Sequence, residues 1–261
     1  MPYVIVILGT AGSGKTTLSA ALSDYLIDNE MDVIIVNLDP AVENLPYKPS
    51  VDVREYVNAR DLMEEYGLGP NGALIAAIDM LSLNIDSIRE EIYSYKANYI
   101  IFDTPGQMEL FAFRETGPFV LKSLINDMKS TILFLIDAVQ AVKPSIYFSA
   151  LLLSASVQFR LSLPQLNVLT KIDLVPESVV EEIISYHDEP EKLATRVIED
   201  SSTSTLWSED DVLVLSERLI NIDIVPVSAY KMIGIDQLVG YINRIVAGGE
   251  DYYTEEPSPR L

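Results

Sequence analysis

The sequence predicts an α/β fold in which a mainly parallel sheet lies between two layers of helices. Apolar runs rich in β-branched residues recur along the chain, and they are continuous rather than alternating, which is typical of strands buried on both faces. Segments with helical periodicity separate these runs, as expected when strands and helices alternate. The strand-like runs are Val4 to Leu8, Val33 to Val36, Tyr99 to Phe102, Thr131 to Ile136, Gln165 to Leu169 and Asp223 to Val227.

The helical patterns lie between these runs and after the last of them. They cover Thr16 to Asp28, Val53 to Glu65, Ala73 to Tyr95, Gly117 to Met128, Pro144 to Leu161 and Gly234 to Val246. Residues 177–218 interrupt the alternation, because they are acidic and contain only short helical patterns, and we interpret them as a helical insertion. We therefore expect one domain over residues 1–247, followed by an acidic, flexible tail over residues 248–261.

Composition excludes several classes of function. The 261 residues include 39 acidic and 18 basic side chains, and the resulting net charge of −21 argues against direct binding of nucleic acid or of an anionic membrane. The chain contains no cysteine, which excludes disulfides and thiolate catalysis and fits a cytoplasmic location. The first apolar run is too short for a secretory signal, and residues 146–159 are too polar to span a membrane.

The first strand leads directly into a phosphate-binding loop, Gly9-Thr10-Ala11-Gly12-Ser13-Gly14-Lys15-Thr16, which has the complete pattern G-x-x-x-x-G-K-T. Glycines let the backbone N–H groups approach a phosphate, and the following helix directs its N-terminus toward the anion. An ordinary Gly-rich turn is the alternative interpretation. The motif, with its strand and helix, predicts the three-layer α/β/α fold of a P-loop NTPase. The predicted nucleotide contacts are Gly12, Ser13, Gly14, Lys15, Thr16 and Thr17, with Lys15 also catalytic and Thr16 also a Mg²⁺ ligand.

Carboxylates follow the second and third predicted strands. Asp39 comes shortly after one strand, and Asp103 begins the sequence Asp103-Thr104-Pro105-Gly106 after the next. Ligands of parallel sheets bind beyond the carboxyl ends of the strands, so Asp103 is a candidate Mg²⁺ ligand. Asp39 places a carboxylate beside the phosphate loop, and a strand-ending Asp-Pro turn is the alternative interpretation. Gly106 offers a backbone N–H to a terminal phosphate, and Gln107 and Glu109 lie close enough to orient an attacking water.

Two later elements indicate guanine as the base. Thr170-Lys171-Ile172-Asp173 is a variant of N-K-x-D, in which the carboxylate accepts hydrogen bonds from N1–H and the 2-amino group of guanine. Lys171 can place its aliphatic stem along the base. Thr170 replaces the usual Asn, and we expect this exchange to weaken the structural brace. After the last predicted strand, Ser228-Ala229 supplies a candidate N–H for the guanine carbonyl.

One further motif is Gly69-Pro70-Asn71, within a Gly-rich and Pro-containing segment, residues 67–72, that joins two predicted helices. A simple helix connector is the alternative interpretation. Together with the preceding motifs, which occur in the same order, this motif closely resembles the signature of the GPN-loop GTPases over nearly the whole chain. This family lies in the branch of P-loop GTPases that also contains signal-recognition GTPases and MinD-like ATPases. The chain resembles an archaeal-type, homodimeric member.

The resemblance implies a Mg²⁺-dependent enzyme that converts GTP to GDP and phosphate. It implies a homodimer through the face that carries the Gly-Pro-Asn loop, with Asn71 reaching the partner's phosphates. By the same comparison, Asp39 lies near the attacking water and Mg²⁺, while Gln107 and Glu109 position that water. Eukaryotic relatives are associated with assembly of RNA polymerase II, so polymerase subunits are candidate protein clients.

Two other functions stay open at this level. A MinD-like ATPase or a small-molecule kinase would share the phosphate loop, although the loop has Thr10-Ala11 where the MinD-like signature carries an additional Lys. A nucleotide-dependent assembly scaffold with incidental turnover would share every motif. His187 is the only histidine, and its polar neighbours predict an exposed residue of the insertion.

Overall fold

The computed structural model describes residues 2–200 and 207–246, so the tail predicted over residues 248–261 lies outside the described residues. One sheet of seven strands has the order β3-β2-β4-β1-β5-β6-β7, and every neighbouring pair is parallel. This arrangement confirms the predicted parallel α/β fold. The strands are β1 (Tyr3–Gly9), β2 (Val33–Asn37), β3 (Val51–Asp52), β4 (Tyr99–Asp103), β5 (Lys129–Asp137), β6 (Gln165–Thr170) and β7 (Ile224–Pro226).

Helices cover both faces of the sheet. The first six are α1 (Lys15–Asp28), α2 (Ala59–Tyr66), α3 (Pro70–Leu81), α4 (Ile85–Ser94), α5 (Met108–Ala112) and α6 (Thr116–Ile125). The next six are α7 (Ala138–Ala141), α8 (Pro144–Leu161), α9 (Glu177–Ser185), α10 (Pro190–Asp200), α11 (Glu209–Leu219) and α12 (Ile235–Val246). None of these helices, which all lie in the described part of the chain, is both long and apolar enough to cross a membrane.

Alternate residues of each central strand face two different hydrophobic cores. In β1, Val4, Val6 and Leu8 pack into a large core with helices α2 to α6 and α8, whereas Ile5 and Ile7 pack into a smaller core with α1 and α12. All five side chains are fully buried. Because both faces exclude water, each strand is a continuous apolar run rather than an alternating one.

The structure corrects several predicted helix boundaries. The helix predicted from Val53 begins only at Ala59, after a 3₁₀ turn over Val53–Glu55. The pattern from Ala73 to Tyr95 is not one helix: α3 ends at Leu81, and α4 begins at Ile85. In addition, α3 begins at Pro70 rather than Ala73, so Asn71 lies in the first turn of a helix instead of in a loop. Proline favours this position, because its fixed φ suits a helix and its missing N–H would have no partner there.

The predicted insertion contains α9, α10 and α11. Helices α10 and α11 pack against each other and against α8. Leu193 and Val197 of α10 and Val212 of α11 are buried in the large core. The apolar sides of these helices therefore extend the core, while their acidic sides face water.

His187 is half-buried, and the prediction that it is exposed is wrong. Its Nε2 lies 3.0 Å from the hydroxyl of Tyr147 in α8, and its Nδ1 lies 3.1 Å from the carbonyl oxygen of Ile220. A carbonyl only accepts hydrogen bonds, so Nδ1 carries the proton and Nε2 accepts from Tyr147. The neutral ring thus joins three parts of the structure, and burial lowers the pKa of His187.

We expect His187 to make the stability of the protein depend on pH. Its pKa is lower in the folded state than the ordinary value of about 6.5, so the unfolded chain takes up the proton first as the pH falls. The free energy of unfolding contributed by this group is present above about pH 6.5 and is lost below it, by at most about 1.4 kcal/mol per pH unit. Urea unfolding at pH 7.5 and 5.5 measures the loss. His187→Gln removes the only histidine, so this variant should lose less unfolding free energy between the two pH values than the wild type. An equal loss in the variant and the wild type would contradict the assignment.

Gly117, near the start of α6, packs directly against the preceding helix α5. A Cβ atom at Gly117 would overlap the carbonyl oxygen of Leu110 and would lie 2.5 Å from Cα of Phe111. These are backbone atoms, which cannot rotate away as a side chain can. At Gly240 in α12, no heavy atom of the described residues outside the nearby helix backbone and the adjoining residues lies within 4 Å of the corresponding position.

The two glycines form a matched pair for mutation. Gly117→Ala should destabilise the fold by about 1–3 kcal/mol, because the added methyl group overpacks a rigid contact. Gly240→Ala should stabilise it by about 0.5–1 kcal/mol, because alanine loses less conformational entropy in a helix. Chemical denaturation of both variants measures these changes, and similar values for the two would contradict the packing described.

Candidate nucleotide-binding site

The predicted site residues follow the carboxyl ends of the parallel strands. The phosphate loop follows β1, which lies between β4 and β5, so the connections on its two sides run in opposite directions. Such a switch point leaves a crevice at the edge of the sheet, where α/β proteins bind ligands. Residues after β2, β4, β5, β6 and β7 surround the same edge.

Positive φ angles shape the phosphate loop. Gly12 has φ of 77° and Gly14 has φ of 94°, in the left-handed region that side chains rarely adopt. Gly9 allows a close approach, because a Cβ at this position would lie 2.7 Å from Oγ of Ser13. Gly14 is the N-cap of α1, which begins at Lys15. The loop backbone thus leads directly into the N-terminus of α1, the end of a helix at which anions bind.

Lys15 is buried and folded back onto its own loop. Its Nζ donates hydrogen bonds to the carbonyl oxygens of Gly9, at 2.9 Å, and Thr10, at 3.0 Å. Burial lowers the pKa of Lys15, and the carboxylates of Asp103, Asp39 and Glu109 oppose this change. The ammonium group is therefore held beside the acidic residues predicted to share its site.

Asp39 faces the glycine predicted to contact a terminal phosphate. Its carboxylate accepts a hydrogen bond from the N–H of Ala41 at 2.9 Å, and the N–H of Gly106 and the charge of Lys15 also lower its pKa. Burial has the larger effect and raises the pKa of Asp39. The structure thus brings together Asp39, Lys15 and Gly106, as the sequence predicted.

Asp103 ends β4, and its side chain is almost completely buried. The hydroxyl of Tyr47 donates a hydrogen bond to Oδ2 at 2.7 Å. Oδ1 is buried and has no hydrogen-bond partner among the described residues. Burial raises the pKa of Asp103, and the nearby hydroxyls of Tyr47 and Thr16 oppose this rise. An unpaired carboxylate oxygen beside the Thr16 side chain fits a cation ligand.

The donor set fits Mg²⁺ better than a metal held by protein ligands alone. Within residues 2–200 and 207–246, no group of three or more histidine, cysteine, aspartate or glutamate side chains could hold a metal ion. Mg²⁺ commonly takes one or two carboxylates from the protein and its other ligands from water and phosphate oxygens. Thr16, Asp39 and Asp103 are therefore the residues that would hold it.

Gln107 and Glu109 lie at the start of α5, and both side chains are exposed. The charge of Glu109 acts on Lys15, which places it at the same edge of the sheet. Gln107 is the N-cap residue of α5, and its side chain makes no capping hydrogen bond. Both side chains are thus available to a ligand.

Thr170 contacts the phosphate loop at the position where the guanine element usually has Asn. Its hydroxyl lies 2.8 Å from the carbonyl oxygen of Ser13 and 3.2 Å from that of Ile136. The hydroxyl therefore joins β6 to the loop that follows β1. A threonine at this position supplies the contact with a shorter side chain.

A neighbouring side chain, Asp137, holds Lys171 in place. Lys171 has φ of 59°, and its Nζ lies 2.7 Å from Oδ2 of Asp137, while its Cε lies beside Gly14. Asp137 is itself fixed, because its other oxygen accepts the N–H of Val139 at 2.9 Å. This pair places the lysine stem over the phosphate loop, where a base could stack.

Ser228 is fully buried and donates a hydrogen bond to Oδ1 of Asp173 at 2.6 Å. Ser228 therefore orients the predicted base-reading carboxylate. Ala229, the next residue, is half-buried at the same edge. The side chain of Ser228 thus acts on Asp173, whereas the sequence had suggested only a backbone contact to the base.

Asn71 is exposed in the first turn of α3, behind the N-cap Gly69. At its other end, α3 is tied to α6, because the hydroxyl of Thr116 donates to Oδ1 of Asp79 at 2.6 Å. The helix that carries Asn71 is therefore fixed to the element that follows Gln107 and Glu109 in the chain.

Several side chains of the site have no motif in the sequence. Tyr47 and Asp137 contact predicted site residues directly. The carboxylate of Asp52 accepts a hydrogen bond from Nδ2 of Asn37 at 2.9 Å and also pairs with Arg54. The guanidinium of Arg54 donates in turn to the carbonyl oxygen of Val42 at 2.9 Å. These contacts anchor the loop that carries Asp39. The only signal in the sequence was the position of Asp137 at the end of a predicted strand.

This fold and this site define a P-loop nucleotide-binding protein with a base-recognition element suited to guanine. A family described as "Conserved hypothetical ATP binding protein" matches residues 7–248. GPN-loop GTPase 1 from Dictyostelium discoideum is 32% identical over 254 residues, which is 97% of this chain and 63% of the relative. GPN-loop GTPase 3 from Kluyveromyces lactis is 30% identical over 98% of this chain and 96% of the relative.

A solved structure shows the same architecture. The crystal structure of a GTPase from Pyrococcus abyssi in its apo form has a TM-score of 0.80 and 31% identity, and the match covers 93% of this chain and 96% of that one. The chain belongs to the GPN-loop GTPase family. This assignment favours a GTPase over the ATPase and kinase alternatives, although the description of the matching family mentions ATP.

The role of Asp173 can be tested by exchanging the base preference. Asp173→Asn should weaken GDP binding about 10- to 100-fold, because a charged hydrogen-bond acceptor is lost. The same variant should bind xanthosine diphosphate more tightly, because an amide can donate to the 2-oxo group of xanthine. Calorimetric titration measures both affinities. Ser228→Ala, the control, should weaken GDP binding less and should gain no affinity for xanthosine diphosphate; unchanged GDP affinity in Asp173→Asn would contradict the assignment.

Proposed function

We propose that this GTPase is a Mg²⁺-dependent dimeric switch, in which Gly69-Pro70-Asn71 of each subunit completes the nucleotide site of its partner. The position of Asn71 carries this proposal. It is exposed in the first turn of α3, and its helix is anchored at the opposite end through Asp79 and Thr116. An exposed polar side chain on a fixed helix end suits contact with a second subunit better than chemistry within its own chain.

Before GTP binds, the ammonium group of the phosphate loop makes hydrogen bonds within the loop itself. Lys15 donates to the carbonyl oxygens of Gly9 and Thr10. When phosphate oxygens arrive, the ammonium exchanges these neutral acceptors for charged ones, which form stronger hydrogen bonds. Lys15 and the N–H groups of the loop then stabilise the charge that develops on the transferred phosphoryl group.

The acidic residues act on the metal and on the attacking water. Thr16, Asp103 and Asp39 would hold Mg²⁺, which would neutralise phosphate charge when bound. The N–H of Gly106 contacts the terminal phosphate once Asp39 no longer occupies it. Gln107 and Glu109, at the exposed start of α5, orient the water for attack on that phosphate.

Release of the terminal phosphate returns the switch to its other state. The residues that contact it lie on two connections of the fold, the loop after β2 and the segment before α5. Ordering of such segments by a terminal phosphate is what a protein client can detect. The family resemblance implies a subunit of RNA polymerase as such a client. We place this activity in the cytoplasm, which suits a chain without cysteine.

Mixed dimers test whether Asn71 acts on the partner's site. Lys15→Ala and Asn71→Ala should each lower GTP hydrolysis about 100-fold, as expected when one stabilising donor is removed. An equal mixture should recover about a quarter of the wild-type rate, because about half of the dimers are mixed and each has one complete site. Phosphate release measures the rate, and sedimentation measures the dimers.

A double variant provides the matched control. Lys15→Ala mixed with Lys15→Ala/Asn71→Ala contains no complete site in any dimer, so its rate should stay at the level of the single variants. Absence of recovery in the first mixture, with mixed dimers demonstrated, would contradict action on the partner. A protein that remains monomeric with GDP and with a non-hydrolysable GTP analogue would also contradict it.

A further inference from the structure

Tyr47 reaches the predicted metal site from a position that no motif marks. It lies near the end of the connection between β2 and β3, residues 38–50, and the same connection carries Asp39 at its start. The hydroxyl of Tyr47 donates to Oδ2 of Asp103 at 2.7 Å, across 56 positions of the sequence. This long-range contact joins the loop directly to the carboxylate at the end of β4.

The position of the Tyr47 ring is fixed by packing. The ring is half-buried against the smaller hydrophobic core, which contains residues of β1, β2, α1 and α12. Burial, together with the charge of Asp103, raises the pKa of Tyr47, so its hydroxyl keeps the proton that it donates. The ring therefore presents its hydroxyl from a defined direction.

The hydrogen bond divides the two oxygens of Asp103 into different roles. The residue is only 2% exposed, so water cannot satisfy its lone pairs freely. Oδ2 accepts from Tyr47, whereas Oδ1 is buried and has no partner in the part of the chain that the structure describes. A buried polar atom without a partner is costly, and a cation at Oδ1 would remove that cost.

The loop itself is anchored on both sides of Tyr47. The N–H of Leu38 donates to the carbonyl oxygen of Asp103 at 2.8 Å, and the N–H of Ser50 donates to that of Ile35 at 2.8 Å. Arg54 holds the middle of the loop through the carbonyl oxygen of Val42, at 2.9 Å. The hydroxyl of Tyr47 is therefore supported by backbone contacts as well as by its ring.

We propose that Tyr47 is a positioning residue of the metal site, which holds Oδ2 of Asp103 so that Oδ1 is directed to Mg²⁺. This inference rests on the proposed function, because it concerns the same metal. Outer hydrogen bonds commonly orient the ligands of a metal and raise its affinity. Tyr47 does this from the loop that carries Asp39, so one segment orders both carboxylates.

Tyr47→Phe tests the hydroxyl without removing the ring. The variant should bind Mg²⁺ in its GDP complex about 10- to 100-fold more weakly than the wild type, the range that such outer contacts contribute. Its affinity for GDP in the presence of EDTA should equal that of the wild type. Calorimetric titration of Mg²⁺ into each GDP complex, and of GDP into each protein with EDTA, measures the two quantities without hydrolysis.

Tyr95→Phe is the matched control, because its hydroxyl donates to the carbonyl oxygen of Ser50, at the end of the same loop, at 2.9 Å. It loses a hydroxyl contact of the loop but not one of Asp103, so its Mg²⁺ affinity should equal that of the wild type. A Tyr47→Phe protein with unchanged or tighter Mg²⁺ binding would overturn the inference. An equal loss in both variants would also overturn it, since the loop alone would then explain the effect.

The failure of the proposed function would look different. A wild-type GDP complex that binds no Mg²⁺ would contradict the metal site itself, and both proposals would fail. A wild-type complex that binds Mg²⁺ normally, with the same affinity in Tyr47→Phe, would contradict only the role of Tyr47.

Discussion

Burial of opposite charges at one edge of the sheet is the constraint on which the rest of the site depends. Lys15, Asp39 and Asp103 lie where water has little access. Burial lowers the pKa of Lys15 and raises the pKa of both carboxyl groups, so it favours the neutral form of each side chain. Charges in such a place need partners. The partners are the carbonyl oxygens of the phosphate loop, the N–H groups after Asp39 and the hydroxyl of Tyr47. The first belong to the loop after β1, and the other two belong to the connection between β2 and β3.

The parallel sheet explains why these partners meet. Every strand ends at the same edge, and the continuous apolar strands that make this arrangement stable could be predicted from sequence because both faces are buried. The phosphate loop and the guanine element could be predicted because their chemistry requires fixed residues at fixed spacing. Secondary structure was less certain where turn chemistry decided it, as at Pro70, and the two-residue strand β3 was too short to give a pattern.

The contacts that support the motifs could not be predicted, because they join residues far apart in the chain. Tyr47 is 56 positions from Asp103, and Lys171 is 34 positions from Asp137. His187 has polar neighbours in sequence, but folding places it between Tyr147 and Ile220. The contact between the Thr170 hydroxyl and the carbonyl oxygen of Ser13 joins residues 157 positions apart. In each case the residue type allowed the contact, and only the packing selected it.

The start of α3 has a further consequence for association. A residue in a flexible loop loses backbone entropy when a partner orders it, at a cost of about 1–2 kcal/mol. Asn71 has already lost that freedom, since Pro70 and the first turn of the helix fix its backbone within the monomer. This motif is therefore ordered during folding, and a second molecule that bound there would meet a surface already in its final shape.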